Sequence, residues 1–504
     1  MKKIIYTLSF YIYHFICHCA RNDSRFLSLQ ILILLFLSPF SLAFTQNDST
    51  QITLTQLFSV IDKYHPVAKQ VALLSDVAKN RIMQAKGAWD PYFYTYSSGK
   101  THKGTNYFSL WETGLKIPTY YGVDFKVEYE NNGGKYLNEE HSVPGNGLLL
   151  AGLSVPLAQG LLIDQRRTTL KQAEIFKKSV EWEQIQALNE VYYDAAVAYY
   201  EWSLAQAEVE VLQKAYQVSY QRLQGIKELS RLGDRAKIDT LEAFLQVQAR
   251  QFDLNNGKLK FKNQALWVSN FLWKENDTPV ELAEEMKPIS LTSFPIRLFS
   301  QDDLQLTVNQ LGMKHPAMRL YQLKLANLEV ERRWKQEKLK PKVNLEYNML
   351  SQEVGKTPIF YKNPFTDNYK WGLMVAMPLY LRAERADLAM QRLKIRDTEL
   401  AMQQKQRDLG TKVKTYYNEA QNWQNQVELY NSMIQNYQTM LTAEETLFQN
   451  GESSVFLINS RESKLIEAQN KALELRFKFF KSIAGMTFSA GQFYQPTSRG
   501  LEGE

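Results

Sequence analysis

Arg231-Leu232-Gly233-Asp234 closes a run of 76 residues, Leu157 to Leu232, that contains no proline. Gln449-Asn450-Gly451-Glu452-Ser453 closes a second such run, the 72 residues from Leu379 to Asn450. At about 1.5 Å per residue each would reach roughly 110 Å as one helix, against a globular mean of about 11 residues, so each needs partners along its whole length. The first run supplies a seam in Ile185, Leu188, Tyr192, Ala195, Tyr199, Trp202, Val209, Leu212, Tyr216, Leu223 and Ile226, interrupted by Gln206 and Ser219. The second does so more cleanly in Val413, Tyr416, Ala420, Trp423, Val427, Tyr430, Ile434, Tyr437, Leu441 and Phe448, with Glu444 breaking it. Steps of three and four average about 3.5 residues and imply coiled-coil packing, with an ordinary long helical bundle as the alternative. A glycine at 233 and 451 supplies the left-handed conformation that ends a helix. Asp234 or Ser453 is placed to cap the helix that returns. The return helices are expected over Lys237 to Trp273 and Val455 to Ile483, with Ile238, Leu241, Leu245, Phe252, Leu259, Leu266 and Trp273 as the buried face of the first.

Working outward, everything around these runs occurs twice. His65-Pro66 recurs as His315-Pro316, and 25 residues after each proline, at Pro91 and Pro341, helical text gives way to strand text. The strand text ends at Val155-Pro156-Leu157 and again at Met377-Pro378-Leu379, where the long runs begin. Short helices are expected near Val67 to Ala88 and Ala317 to Leu339, each able to stack end to end with a return helix beside a long one. Duplication of a helix, strand, strand, long helix, turn, helix unit indicates a built object such as a tube, each unit supplying a matching stave.

The strand text alternates. Val123, Phe125, Val127 and Tyr129 face one way and Asp124, Lys126, Glu128 and Glu130 the other. The pattern returns at Val343, Leu345, Tyr347 and Met349 and at Tyr369, Trp371, Leu373, Val375 and Met377. One apolar face with aromatics toward the strand ends suits an outer-membrane barrel, because backbone groups in lipid must pair within a closed sheet. A soluble sandwich gives similar text, so the helices decide. Gly99 to Asn106, Asn131 to Gly147 and Ser351 to Asn368 are expected as extracellular loops.

The first 43 residues read as an export signal, with an apolar run from Leu29 to Leu37 and Ser41-Leu42-Ala43 as a small-x-small cleavage site. Both cysteines, Cys17 and Cys19, lie inside it, which excludes disulfides, thiol chemistry and Cys-zinc sites from the mature chain. Loss of Lys2, Lys3, Arg21, Arg25 and Asp23 with the signal lowers the formal charge from +7 to +4. So small an excess is no nucleic-acid footprint. Tyr (28), Phe (26) and Trp (9) are plentiful against 23 Gly and 15 Pro, which fits long helices with aromatic strands and argues against disorder.

This order of elements, repeated, resembles the TolC-like outer membrane efflux protein family over about Thr53 to Met486. The most specific local text is Gly233-Asp234-Arg235-Ala236-Lys237-Ile238-Asp239, a tip glycine followed six residues later by an aspartate that opens the return helix. The resemblance implies a mixed α and β chain, an outer-membrane β-barrel continued by a long α-helical coiled-coil tunnel, assembled as a homotrimer. It implies a periplasmic adaptor and an inner-membrane transporter as partners, membrane lipid around the barrel, and no cofactor. Arg231, Leu232, Gly233, Asp234, Gly451, Glu452 and Ser453 are then the tip residues that meet the adaptor, with plain helix capping as their bland alternative. Asp239 matches its family position. The acidic aperture positions are Leu457 and Ser460 here, and the latch positions are Phe448 and Ser453, so a hydrophobic constriction around Leu457 replaces a charged one. Blockade of single channels by trivalent cations that depended on position 457 would contradict that expectation. Six strands are expected where the resemblance implies four, because Trp111 to Ile117, a turn at Pro118 to Gly122 and Val123 to Tyr129 form an added hairpin. Either the barrel is wider or the hairpin folds elsewhere.

The expected organisation is a signal over 1–43, a first repeat over 44–274, a linker over 275–302, a second repeat over 303–487 and a tail over 488–504. No phosphate-binding glycine loop, His-Glu-x-x-His helix or Gly-x-Ser-x-Gly elbow occurs, and His65 and His315 read as helix joints rather than a metal pair. The expected function is a passive outer-membrane conduit of a tripartite efflux or type I secretion system, not an enzyme. The alternative is a periplasmic coiled-coil adaptor, for which one hairpin flanked by compact β domains would be usual.

Overall fold

The computed structural model describes residues 51–351 and 367–494. The signal with its cysteines, nearly all of the third expected loop and the end of the tail lie outside them. The elements run β1 (Gln51–Ile52), α1 (Leu54–Tyr64), α2 (Pro66–Lys86), β2 (Tyr92–His102), β3 (Thr105–Pro118), β4 (Asp124–Gly133), β5 (Leu148–Pro156), α3 (Gln165–Leu232) and α4 (Lys237–Ser269). After them come β6 (Lys287–Pro288), α5 (Gln301–Lys314), α6 (Pro316–Glu337), β7 (Lys342–Ser351), β8 (Tyr369–Ala376), α7 (Arg382–Gln449) and α8 (Val455–Ser489). Both long helices have 68 residues, about 100 Å each.

The duplication is physical. His65 and His315 each end one helix and begin the next, with Pro at the first helical position, where its missing N–H costs nothing. Each imidazole Nδ1 accepts the backbone N–H two residues on, from Val67 at 3.2 Å and from Ala317 at 3.1 Å. An acceptor Nδ1 requires the unprotonated ring. Burial pushes both histidines down, His315 to about 4 with Lys405 adding to the effect.

The six longer strands form one antiparallel sheet in the order β2-β3-β4-β5-β7-β8, so the added hairpin joins the sheet instead of folding elsewhere. Register places whole rows of one character together. Ile117, Phe125, Leu153, Tyr347 and Trp371 are consecutive partners, as are Phe93, Leu115, Val127, Ala151, Met349 and Tyr369. On the opposite face lie Lys116, Lys126, Gly152, Asn348 and Lys370, and beside them Glu112 with Glu130. The polar face is the crowded one: Glu128 and Glu130 are buried while Phe125 and Val127 are exposed. That asymmetry is what a sheet curled around its polar side produces, and it is the arrangement of an outer-membrane strand set. The first expected loop is in fact a two-residue turn at Lys103-Gly104, both at positive φ, so β2 and β3 extend well past Gly99.

Each long helix has two shorter helices on each side of its length. Near the sheet the packing order is α2, α3, α6, α7, and toward the glycine turns it is α4, α3, α8, α7. The expected end-to-end stacking of leading and return helices is therefore present. The seams hold: Leu188, Tyr192, Ala195, Tyr199 and Trp202 are buried on α3, and Val413, Ala420, Val427 and Leu441 on α7. Tyr199 and Trp202 meet Leu57 and Ile61 of α1 in the main core, where each fully buried large side chain contributes about 1.5–3 kcal/mol. The stretch between the repeats crosses α3 here, as the Tyr199 hydroxyl donates to Ile52 O at 2.8 Å and accepts from Ile289 N at 3.0 Å.

Three local expectations are corrected. α3 begins at Gln165, capped by Asp164, because residues 157–163 form a turn with Gly160 at φ 94°. The return helices are capped one or two residues later than expected, at Ala236 without a side-chain bond and at Ser454, whose hydroxyl accepts from Leu457 N. The apolar stripe of α4 is not buried: Ile238, Leu241, Leu245, Phe252, Leu259 and Leu266 are exposed, and Ala243, Val247, Leu254 and Gly257 face α3 instead.

Candidate functional site at the helix tips

The two glycine turns lie at the same end of the helical layer and are built alike. Gly233 has φ 87° and Gly451 φ 82°, a region open to glycine at little strain. In the first turn Asp234 N donates to Leu229 O at 3.0 Å and Gly233 N to Ser230 O at 3.2 Å. In the second, Glu452 N donates to Leu447 O at 2.9 Å and Gly451 N to Phe448 O at 3.1 Å. These paired bonds satisfy the last carbonyls of each long helix.

The tips are tied across the repeats. Arg235 of the first turn donates from Nη2 to Phe448 O at 2.8 Å and lays its guanidinium over the Phe448 ring at 4.1 Å. A cation on the last carbonyls of α7 also meets the negative end of that helix. Below it, Leu223, Ile226, Ala243, Val247 and Val455 form a small core that Phe448 and Tyr216 cover. Deeper still, Arg222 of α3 reaches Glu462, Asn459 and Glu445. Glu444 accepts the Ser453 hydroxyl and pairs with Arg461 at 3.5 Å. Four charged side chains thus hold hairpin to hairpin where the apolar seam thins out.

The expected tip residues fall into two groups. Arg231, Leu232, Gly233, Asp234, Gly451 and Glu452 are exposed at the apex, open to a partner. Arg231 is held by Glu228 at 2.6 Å, which pushes the arginine up and the glutamate down. Ser453 turns inward to Glu444, and Phe448 is half-buried under Arg235. Asp239 opens α4 in its first turn, the favourable place for a negative charge. Leu457 and Ser460 sit on one exposed face of α8, with Phe456 beside them, apart from the polar ties. The residues that sequence reading missed are Arg222, Arg235, Asn459 and Glu462. Glu444, the charge that broke the second seam, was the signal for them.

Residues 307–484 match the family described as outer membrane efflux protein. The second repeat carries the signature of that family. No curated protein matches the sequence. The efflux-protein fold extends over both repeats. The chain is similar to the CmeC outer membrane channel of Campylobacter jejuni, at 13% identity and a TM-score of 0.63, covering 88% of this chain and 86% of that one. It is similar to the open state of the MtrE outer membrane channel of Neisseria gonorrhoeae, at 12% identity and 0.62, covering 87% and 88%. It is also similar to the outer membrane protein VceC of Vibrio cholerae, at 14% identity and 0.60, covering 87% and 96%. At such identities the likeness is one of fold, and the fold is that of outer-membrane channels with a helical tunnel and a β-barrel.

Proposed function

We propose that this chain is the outer-membrane channel of a tripartite export machine, a passive conduit whose barrel sits in the outer membrane and whose helices reach into the periplasm. Copies assemble as a homotrimer, and the tips dock on a periplasmic adaptor and through it on an inner-membrane transporter. The supporting observation is that sheet and helical layer stop at open edges on the same two flanks. β2 and β8 each lack a second neighbour among the described strands. On the helical flank, Ile238, Leu245, Phe252, Leu259 and Leu266 of α4 recur every seven residues and are 49% to 71% exposed. Met433, Met440 and Leu447 of α7 form a matching seven-residue stripe on the other flank, with Met440 and Leu447 exposed. A seven-residue stripe is the seam of a coiled coil, and a second copy is the partner that closes strands and helices together.

The adaptor reading is disfavoured because a soluble linker has no use for a sheet whose outward rows read Ile117, Phe125, Leu153, Tyr347 and Trp371. The two repeats and their linker then act as two staves and a strap, and the work is passage rather than turnover. Membrane fractionation with a deletion strain tests this reading. The protein should sediment with the outer membrane, and its loss should sensitise cells to exported compounds. Recovery in the periplasm or the inner membrane would refute it.

A further inference from the structure

We infer that the barrel is bored as wide as the helical tunnel, so that the outer-membrane crossing admits cargo about 25 Å across, the size class of bulky polymers and small folded polypeptides. The inference rests on the channel reading and adds the size class of what passes. Six strands spaced about 4.8 Å apart and tilted about 40° cover roughly 38 Å of circumference. The four-helix wall beneath, at about 8–10 Å between axes, covers about 32–40 Å. The two layers of one chain therefore subtend equal arcs. A four-stranded sheet at the same tilt would cover only about 25 Å and force the barrel to narrow. Three copies give a backbone ring about 36 Å across, and flat-lying side chains leave a bore of about 25 Å.

The inner wall is built to stay clear. The Tyr94 hydroxyl donates to Glu128 at 3.0 Å, lying across the intervening strand β3. It crosses at Gly114, where a Cβ would stand 2.9 Å from the Tyr94 hydroxyl oxygen and 2.8 Å from Val127 O. Asn348 lies across β5 in the same way at Gly152, where a Cβ would come 2.0 Å from its Oδ1. The long cations are tied down as well, Lys116 to Asp124 at 3.3 Å, Lys126 to Glu128 at 3.4 Å and Lys370 to Glu130 at 3.8 Å. Glycine notches and in-wall ion pairs hold the largest polar side chains against the sheet instead of across the lumen.

Ser154 lies on the polar face near the inner end of β5, opposite Asp124, and Gly372 lies on the same face of β8, opposite Glu346. The test places Ser154→Cys, and separately Gly372→Cys, in the full-length chain and exposes intact cells to a small maleimide and to polyethylene-glycol maleimides of graded size. The tips do not matter, because reagent enters from outside. Both cysteines should react with the small reagent and with coils about 20 Å across at rates of the same order. Reaction with the small reagent but with no coil above about 14 Å overturns the wide bore and leaves the channel reading standing. Failure of both positions to react with any reagent, in protein that fractionates with the outer membrane, overturns the channel reading together with the bore.

Discussion

Arg222 of α3 grips Glu462 of α8 with two parallel bonds, Nη1 to Oε2 at 2.8 Å and Nη2 to Oε1 at 3.3 Å, and the two side chains are only 12% and 5% exposed. A charge pair this deep between hairpins is costly to break from one side, because the remaining charge stays buried alone. Glu462→Ala is expected to lower unfolding stability by about 3 kcal/mol. The double variant Arg222→Met with Glu462→Leu should recover most of it. Thermal unfolding followed by helical circular dichroism provides the check, and equal losses for single and double variants would show that the pair adds nothing specific.

The tip glycines make a prediction of opposite signs within one helix. Gly233→Val or Gly451→Val forces an L side chain to φ near +85° and should cost about 1–2 kcal/mol each. Gly225, eight residues earlier in α3, has open space around it, and Gly225→Ala should stabilise by about 0.5–1 kcal/mol through helix propensity. The same melting experiment reads both. Cross-linking to an adaptor should fall only for the tip variants.

In the sheet, Gly152→Val would drive its Cβ into Asn348 Oδ1 and Tyr347 O, the latter at 2.5 Å. Tyr347 O is backbone and cannot turn aside, so β5 and β7 must separate. Gly372→Ala meets nothing within 4 Å and should be neutral. The fraction of protein recovered as folded barrel in the outer membrane should collapse for the first variant and match wild type for the second.

Acidification should loosen the repeat joints. His315 titrates near 4 when folded and near 6.5 when unfolded, so its contribution is fully present above pH 6.5. As pH falls from 6.5 toward 4 the unfolded chain takes the proton first, and about 3 kcal/mol of stability is lost across that window. His65, also lowered, acts in the same direction. His315→Asn retains a capping side chain without the titration. It should flatten part of the stability profile between pH 4 and 6.5 measured by chemical unfolding; an unchanged profile would place the acid sensitivity elsewhere.

Strand alternation was legible because its period of two is local, and the outward rows of Phe125, Val127, Tyr347 and Trp371 lie where the text put them. The long helices were legible for the same reason. The α4 stripe was read as apolar, correctly, and as buried, wrongly, because a pattern reports what a face wants to touch but not which chain supplies it. The charged ties at Arg222, Arg235 and Glu462 were silent, since charges on a long helix are usually solvated and nothing local marks the few that meet across hairpins. The start of α3 was misplaced because proline-free text does not reveal a turn held by Gly160 at positive φ.

The account's central claim is that copies of this chain close edge to edge around an open axis. A cryo-electron microscopy map of the full-length protein in lipid nanodiscs measures this directly. The account predicts three copies, with β8 of each paired to β2 of the next, the α4 stripe seated on the neighbouring α7, and an empty bore of near-constant width through sheet and helices. A monomeric particle, or a ring whose sheet edges stay unpaired around a filled centre, would contradict it.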